Sequence, residues 1–350
     1  MESIKKMFQG ILGLFSGLRF GIGVSADQQA LYIQDMYKAE REGYKEVETK
    51  FDKIFKVEKA SKAAGDKATQ ILGAGALQRH EAEGQPINYK SPVQGWEYLV
   101  KYHTFSDGIS LSKEAVEDTT KLGNLLKDLA QTWGQSVRVE KETLAARVFN
   151  NGGALSGDFV FNGTHVGNTD SSGNLAYDSK PLFNLSGNTR STKGGGTYYN
   201  AGAITLSLTS SNFETVYNLM TATNNRDERD RVISNPADTL LVRPGSERFK
   251  ADRIVDTTRG LPGGELNDKN PYYKIVSVID WDYLTDGTTY PAFYVGKRQH
   301  PQFVWRDRQM PEIRFFRDED NLGYKASINV RFAPWVKNWR AWARGGGTSS

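Results

Sequence analysis

The chain has 350 residues, of which 38% are hydrophobic and 25% are charged, so it is not a disordered protein. Its length allows two or three domains with cores of their own. It contains no cysteine, which excludes disulfides, thiolate zinc sites and cysteine nucleophiles. The 45 basic and 41 acidic residues give a net charge of +4, which is too balanced for a dedicated nucleic-acid-binding protein. A surface of mixed charge suits contacts between like chains.

The N-terminal segment 7–24 is apolar, yet it contains Gln9, Arg19 and several glycines. A segment of this length is close to the lower limit for a membrane span, and glycine weakens a helix. We therefore expect an apolar arm that packs on another surface, rather than a membrane span or a signal peptide. Residues 26–64 follow as a charged helical region whose apolar stripe is too sparse to fold alone.

Two contrasting segments come next. Residues 66–110 predict an extended two-stranded excursion, because glycines and prolines divide them into short pieces that alternate as strands do. Residues 112–150 predict one amphipathic helix of roughly 55 Å. Its apolar positions recur mostly three or four residues apart: Val116, Leu122, Leu126, Leu129, Trp133, Val137, Leu144 and Val148.

Local signals mark the ends of this helix and two weak points inside it. Ser112 can cap the first turn, and the glycine pair 152–153 can stop the last one. Gly123 and Gly134 lie within the helix, where we expect them to bend or thin it.

The remaining residues predict a mixed α and β region. Residues 151–203 read as loops with short strands, because they are rich in Gly, Asn, Ser and Thr. Helices are expected at 211–223 and 247–255, and strands at 239–242, 273–279 and 290–295. Strong alternation over 303–333 predicts two long strands joined around 318–321. Trp335, Trp339 and Trp342 follow at helical spacing, and the tail is linker-like.

No residue pattern indicates a catalytic, cofactor or metal site. His80, His103, His165 and His300 are scattered without metal-ligand spacing. Residues 192–197 place their lysine before the glycines, so they predict a flexible loop rather than a phosphate loop. Asp280 and Asp282 have no partner that would mark a glycosidase pair. We therefore expect a protein that is not an enzyme.

Two charged segments favour surface contacts. Arg226, Arg229 and Arg231 alternate with acidic residues, which indicates a solvated loop or an ion-pair patch between subunits. Four arginines give the closing strands a basic face: Arg306, Arg308, Arg314 and Arg317. Contact with phosphate groups is one use that such a face could have.

Several short motifs are specific in combination and span roughly residues 40–335. They are 44–57 (YKEVETKFDKIFKV), 109–118 (ISLSKEAVED), 161–165 (FNGTH), 181–184 (PLFN), 212–217 (NFETVY), 235–243 (NPADTLLVR), 249–251 (FKA) and 276–280 (VSVID). Taken together, they resemble the major capsid proteins of tailed phages, whose fold is named for phage Hong Kong 97. More narrowly, they resemble the Mu-like major head subunits. The chain departs from the family in its Gly-rich 185–200 insert and its Trp-rich C-terminus.

The resemblance implies an α+β fold with a defined division of the chain. Residues 1–65 would form an N-terminal arm and 66–110 an extended E-loop hairpin. Residues 111–204 and 304–344 would form a peripheral domain around a long spine helix. Residues 205–303 would form an α/β axial domain, and 345–350 a C-terminal tail.

The resemblance also implies a function. The protein would self-assemble into pentamers and hexamers of an icosahedral head that encloses double-stranded DNA. Its partners would be other copies of itself, the packaged DNA, a portal, and scaffold or decoration proteins. Its location would be the virion, assembled in the host cytoplasm, with no role at a membrane. The alternatives are an encapsulin-type shell around protein cargo and a hydrolase with a β-rich domain.

Residue-level expectations follow for subunit contacts and for DNA. The arm and hairpin segments have too few apolar residues to form a hydrophobic core of their own. Their aromatic residues are therefore candidates for burial on a neighbouring subunit: Tyr32, Phe51, Phe55, Trp96 and Tyr98. Arg138 and Lys141 on the long helix are the candidates to face DNA, with Lys121 and Lys127 as weaker ones. The alternative is that these arginine and lysine side chains pair with acidic residues of the same helix, namely Glu117, Asp128, Glu140 and Glu142.

Overall fold

A computed structural model describes most of the chain. The described residues are 26–59, 65–72, 79, 86–87, 89, 93–114, 122–153, 180–192, 194–259, 269–318 and 323–347. For 26–27, 65–72 and 93–101 the description covers the backbone. The apolar segment 7–24, the part 154–179 of the loops with short strands predicted over 151–203, and the start of the long helix at 115–121 lie outside the described residues.

Five α-helices occur in the described residues, and the third is the long one. They are α1 (Ala26–Lys45), α2 (Phe51–Ile54), α3 (Leu122–Asn150), α4 (Ser210–Asn218) and α5 (Ser246–Val255). One π-helical turn, Leu219–Thr223, extends α4, and short 3-10 helices occur at Ser186–Asn188 and Trp339–Ala341. The predicted stop of the long helix is confirmed, since residues 151–153 form a turn. No described helix has the length and apolar character needed to cross a membrane.

Twelve strands lie in the described residues and form four sheets. They are β1 (Phe55–Lys59), β2 (Gly65–Leu72), β3 (Val93–Lys101), β4 (His103–Leu111), β5 (Arg190–Ser191), β6 (Thr197–Tyr198), β7 (Thr239–Val242), β8 (Ser277–Asp280), β9 (Phe293–Gly296), β10 (His300–Arg317), β11 (Tyr324–Val336) and β12 (Trp342–Gly345). The two larger sheets have the orders β1-β10-β11-β4 and β12-β9-β7-β8. The pairs β2-β3 and β5-β6 are antiparallel. The pairing of β2 with β3 confirms the two-stranded excursion up to Lys101, whereas β4 lies beside β11 in the first of the larger sheets.

The chain divides into two compact units. One comprises 1–47, 105–137 and 311–330, and the other comprises 48–104, 138–310 and 331–350. These units do not test the division into arm, E-loop, peripheral and axial segments, which stays a prediction.

In the first unit, α1 and the first half of α3 cross so closely that their backbones are in contact. A methyl group on Gly134 would overlap the carbonyl oxygen of Glu40 and lie 2.8 Å from the backbone nitrogen of Tyr44. A methyl group on Gly43 would in turn lie 2.9 Å from the carbonyl carbon of Gln131. Gly134 therefore serves the close crossing of two helices, a role that its position inside the periodic pattern did not indicate.

In the second unit, the sheet β12-β9-β7-β8 carries α4 and α5 and encloses an apolar core. Leu240 and Val242 of β7 and Val295 of β9 have no exposed area. Phe213 and Val216 of α4 pack into the same cluster. The strand at 239–242 and the helices at 211–223 and 247–255 are thus confirmed, with ends within a residue or two of the prediction.

A second cluster of the same unit surrounds Phe149 near the end of α3. The Phe149 ring lies 5.1–6.1 Å, between ring centroids, from six other aromatic rings. They are Phe55, Phe183, Trp281, Tyr294, Phe303 and Trp342. Such contacts contribute roughly 0.5–1.5 kcal/mol each beyond area burial, so Phe149 is the centre of this core.

The strands predicted at 273–279 and 290–295 are confirmed only in their second halves, because β8 begins at Ser277 and β9 at Phe293. Two other local predictions are wrong. Residues 55–59 form β1 rather than continuing a helix, because they pair in parallel with β10 from Phe55↔His300 to Lys59↔Asp307. The tryptophans at helical spacing do not form an α-helix. Trp335 is the penultimate residue of β11, Trp339 begins a 3-10 turn, and Trp342 begins β12. Tertiary pairing overrides the local pattern in both places.

Candidate functional site

Phe51 and Phe55, predicted as interface residues, lie in the core of this chain. Phe51 is 4% exposed and packs on Trp305 at 4.7 Å between ring centroids. Phe55 has no exposed area and contacts Phe149 and Phe303. A side chain without exposed area cannot add buried area at a subunit contact, so the expectation of exposed rings is wrong for these two residues.

The other aromatic candidates differ in what is described. Tyr32 is half-buried and makes an edge contact with Phe315, with 6.1 Å between the ring centroids. Its remaining exposed area keeps it available for a subunit contact. Trp96 and Tyr98 belong to β3, and their side chains lie outside the described part of the chain.

A buried carboxylate on α3 holds the start of α2. Glu142 Oε1 accepts hydrogen bonds from the backbone nitrogens of Lys50 at 2.6 Å and Phe51 at 3.3 Å. Its Oε2 accepts one from Trp281 Nε1 at 2.6 Å. Burial raises the pKa of Glu142, although these hydrogen bonds oppose the rise. The residue satisfies backbone donors at the first turn of α2, where the helix itself supplies no acceptors.

Lys141, predicted to face DNA, is instead a buried cation. It is 4% exposed, and its Nζ lies 2.9 Å from Asp307 Oδ1 on β10. The same Nζ lies 5.9 Å from the Phe51 ring and 5.5 Å from the Phe332 ring, measured to the centroids. A phosphate has no access to it, so the prediction is wrong. The ion pair to Asp307 joins α3 to β10 and is not the pairing within the helix that was the alternative.

The neighbouring candidates are also constrained. Arg138 is half-buried, and its Nε is a buried donor without a hydrogen-bond partner among the described atoms. Lys127 pairs with Asp35 of α1 at 3.2 Å. Lys121 lies outside the described residues.

Two of the four arginines on the closing strands form ion pairs within the chain. Arg306 pairs with Glu58 at 3.1 Å and lies 4.3 Å from the centroid of the Trp335 ring. Arg314 pairs with Glu312 at 2.7 Å. Arg308 lies 5.5 Å from the centroid of the Tyr102 ring, and Arg317 is exposed. The two ion pairs reduce the basic face that the alternation of the strands predicts.

The Arg-rich loop 226–233 is held by a carboxylate that the sequence did not single out. Asp230 accepts hydrogen bonds from Thr192 Oγ1 at 2.7 Å, Gly196 N at 2.8 Å and Tyr198 Oη at 2.9 Å. Partial burial opposes ionisation, but these bonds hold the pKa of Asp230 below its ordinary value. The hairpin β5-β6 is thereby fastened to the loop, which corrects the expectation of a flexible loop at 192–197.

The three arginines of this loop have different surroundings. Arg226 donates to the Asp230 carbonyl at 2.8 Å, and Arg231 pairs with Asp227 at 2.6 Å. The side chain of Arg229 forms no ion pair with the described residues. Beside them, Val232 is 69% exposed and Ile233 is partly exposed, so the loop presents apolar area next to charge.

A surface that sequence reasoning missed lies on α1. Lys38, Arg41 and Lys45 are exposed, and their spacing of three and four residues aligns them on one face. With Gln34, Tyr37 and Glu42 they line a groove of about 580 Å³. The helical spacing of these three basic residues could have revealed the surface from the sequence. It was missed because helical spacing was considered only for apolar residues.

The described residues hold no group of three His, Asp or Glu side chains able to bind a metal ion. His300 is a packed residue rather than a ligand. Its Nδ1 accepts a hydrogen bond from the Gln302 backbone nitrogen at 3.2 Å. Burial, together with the nearby Lys297 charge, lowers the pKa of His300 to about 4, although Asp238 acts in the opposite direction.

Comparison with known proteins gives a match in structure alone. No family model matches the sequence, and no curated protein matches it. The chain superposes on a chain of the capsid structure of cyanophage P-SCSP1u with a TM-score of 0.51 at 9% identity, covering 87% of this chain and 89% of that one.

Two further similarities are weaker. A chain of the mature capsid of bacteriophage PhiM1 gives a TM-score of 0.48 at 8% identity, covering 86% and 87% of the two chains. The virus-like particle from Pyrococcus furiosus gives 0.48 at 10% identity, covering 89% and 98%. The cyanophage match runs through nearly the whole of both chains, and the chain therefore has the α+β fold of the phage major capsid proteins.

Proposed function

We propose that this chain is the major capsid protein of a tailed phage, a structural protein without enzymatic activity. The observation that carries the proposal is the match of 87% of the chain to the fold of the cyanophage capsid protein. A fold alone does not specify a function, so the proposal needs support from the surfaces of the molecule. The sequence motifs also support a major capsid protein, and by their resemblance we propose that the chain is closest to the Mu-like head subunits.

Assembly would use surfaces that a single chain leaves apolar and exposed. Val232 in the Arg-rich loop and Phe249 on α5 are 69% and 67% exposed. Burying a large apolar side chain contributes roughly 1.5–3 kcal/mol, and closed symmetry repeats each contact many times. We propose that the loop 226–233 is a subunit contact in which Arg226, Arg229 and Arg231 add ion pairs, and that Tyr32 contributes at a second contact.

The finer features of the proposal follow from the same assignment. Subunits would form the pentamers and hexamers of an icosahedral shell, with residues 66–110 as the E-loop and α3 as the spine helix. The shell would enclose double-stranded DNA and bind a portal, with scaffold or decoration proteins as further partners. It would be assembled in the host cytoplasm and become part of the virion.

Electron microscopy of the overexpressed protein tests the assignment. We expect closed icosahedral particles whose subunits show this fold. Particles that hold protein cargo and lack nucleic acid in an infected host would favour the encapsulin-type alternative. A monomer that forms no particle under any assembly condition, and that hydrolyses substrates in an activity screen, would favour the hydrolase alternative.

A matched pair of variants tests the contact itself. Val232→Asp places a charge in the proposed apolar contact, whereas Ser234→Asp adds the same charge at a neighbouring exposed position. We expect folded Val232→Asp subunits that fail to close shells and Ser234→Asp subunits that assemble. Normal particles from Val232→Asp would remove the loop from the interface.

A further inference from the structure

Most of the cations first considered for a contact with DNA are already engaged within the chain. Lys141 is buried against Asp307, and Lys127 pairs with Asp35. The closing-strand arginines Arg306 and Arg314 have acidic partners of their own. Arg138 is half-buried, so a contact with a polyanion would draw mainly on other, exposed cations.

Helix α1 supplies three such cations in one row. Lys38, Arg41 and Lys45 are exposed, and none of them has an acidic partner among the described residues. Lys45 lies seven positions after Lys38, which is about 10 Å along the helix axis at 1.5 Å per residue. We refer to these three residues as the α1 cationic row.

The acidic residues of α1 do not neutralise the row. Asp35 is engaged by Lys127 at 3.2 Å, and Glu40 is 5% exposed. Glu46, which follows the helix, accepts a hydrogen bond from Gln135. Among the described residues that line the groove, Glu42 is the one carboxylate against the three cations of the row, so these residues carry an excess of positive charge.

The row is held in a fixed orientation rather than on a loose helix. The backbone nitrogen of Ile313 on β10 donates to Tyr37 Oη at 3.0 Å. The close crossing at Gly43 and Gly134 fastens the same helix to α3. A preoriented set of cations loses less conformational entropy on binding than a flexible tail does.

We propose that the α1 cationic row contacts the phosphate backbone of the packaged double-stranded DNA, without reading bases. This inference rests on the proposed function and adds the surface that performs the contact. Duplex DNA presents one phosphate per 3.4 Å of each strand, so a row of about 10 Å is matched by two or three phosphates. Lysine and arginine contacts of this kind position a backbone and carry no sequence information.

The experiment compares two triple variants of equal charge change. In Lys38→Gln/Arg41→Gln/Lys45→Gln the row is neutralised. In Arg253→Gln/Arg259→Gln/Lys269→Gln three exposed cations elsewhere are neutralised. Binding of the purified subunits to two duplexes of unrelated sequence is measured across a salt series by fluorescence anisotropy.

We expect the row variant to lower the slope of log K against log[salt] by about 2–3 units, because each lost phosphate contact removes about 0.9. The control variant should keep the wild-type slope, and both duplexes should behave alike. An unchanged slope in the row variant, or an equal loss in the control, would overturn the proposal. Unchanged DNA binding with failed shell assembly would assign the row to an acidic surface of a neighbouring subunit and also overturn it.

Electron microscopy of wild-type particles separates this result from the proposed function. If the wild type forms no shells, the capsid assignment fails, whatever the DNA titrations show. If shells form and the row variant binds DNA as the wild type does, only the row is misassigned.

Discussion

Gly43 and Gly134 lie at one helix crossing and leave no space for a side chain between α1 and α3. Each faces backbone atoms of the opposite helix, so neither clash could be relieved by turning a side chain. The crossing fixes the helix that carries the α1 cationic row. The close packing that the two glycines allow therefore also sets the orientation of the three cations on α1.

Substitution at this crossing should be costly. Gly134→Ala inserts a methyl group against the Glu40 carbonyl, and overpacking of this kind costs roughly 1–3 kcal/mol or more. Urea unfolding monitored by circular dichroism measures the loss. Gly187→Ala is the control, because a methyl group there meets no atom within 4 Å. Equal stability of the two variants would show that the helices do not touch in solution.

The Lys141–Asp307 pair should behave as a buried ion pair. Asp307→Asn removes the carboxylate charge 2.9 Å from the buried ammonium, which should lower the free energy of unfolding by about 3–5 kcal/mol. The double variant Lys141→Met/Asp307→Asn removes both charges and should recover most of the loss. If Lys141→Met instead weakened DNA binding of a folded subunit, the original DNA-facing assignment would be restored.

Glu142 should matter through its hydrogen bonds. Glu142→Gln replaces one acceptor oxygen by a donor amide, so at least one of Lys50 N, Phe51 N and Trp281 Nε1 loses its partner. The expected cost is about 1–3 kcal/mol for an unsatisfied buried donor. Glu140→Gln, at an exposed position of the same helix, should be neutral. Thermal unfolding of both variants decides the point.

His300 predicts a pH dependence of stability. Its pKa is about 4 in the folded chain, against about 6.5 for a histidine in an unfolded one. Below pH 6.5 the unfolded chain takes up a proton that the folded chain does not, so stability falls between about pH 6.5 and pH 4 and is full above that window.

The contribution of His300 is isolated by a variant. His300→Asn keeps an acceptor for the Gln302 backbone nitrogen and cannot titrate. Its urea midpoint should therefore fall less than that of the wild type between pH 7 and pH 5. Protonation of carboxylates with lowered pKa values, such as Asp227 and Asp230, destabilises the wild type and the variant equally. Their contribution therefore cancels when the two pH profiles are subtracted. Parallel pH profiles would contradict the burial of His300.

Long elements with strong periodicity could be predicted from the sequence. The alternation over 303–333 gave two strands, which the structure extends to His300–Arg317 and Tyr324–Val336. The glycine pair after Asn150 marked the end of α3. In these places local preference and tertiary structure agree.

The candidate site was harder to predict, because its contacts join distant parts of the chain. Lys141 appears as an exposed helical lysine until its partner Asp307 is known. Phe55 belongs to a charged segment, and only the parallel pairing with β10 carries it into the core. The fastening of the 190–198 hairpin likewise depends on Asp230, which lies in another loop.

The order of strands β12-β9-β7-β8 has a consequence for biosynthesis. Three strands of this sheet lie between residues 239 and 296, while β12 begins at Trp342, after the long β10-β11 hairpin. The ribosome must therefore make residues 297–341 before the fourth strand can join β9. A nascent chain exposes that edge of β9 during this interval, and exposed edges are where neighbouring chains pair wrongly. Chaperone demand during synthesis should thus peak late, while the hairpin is being translated.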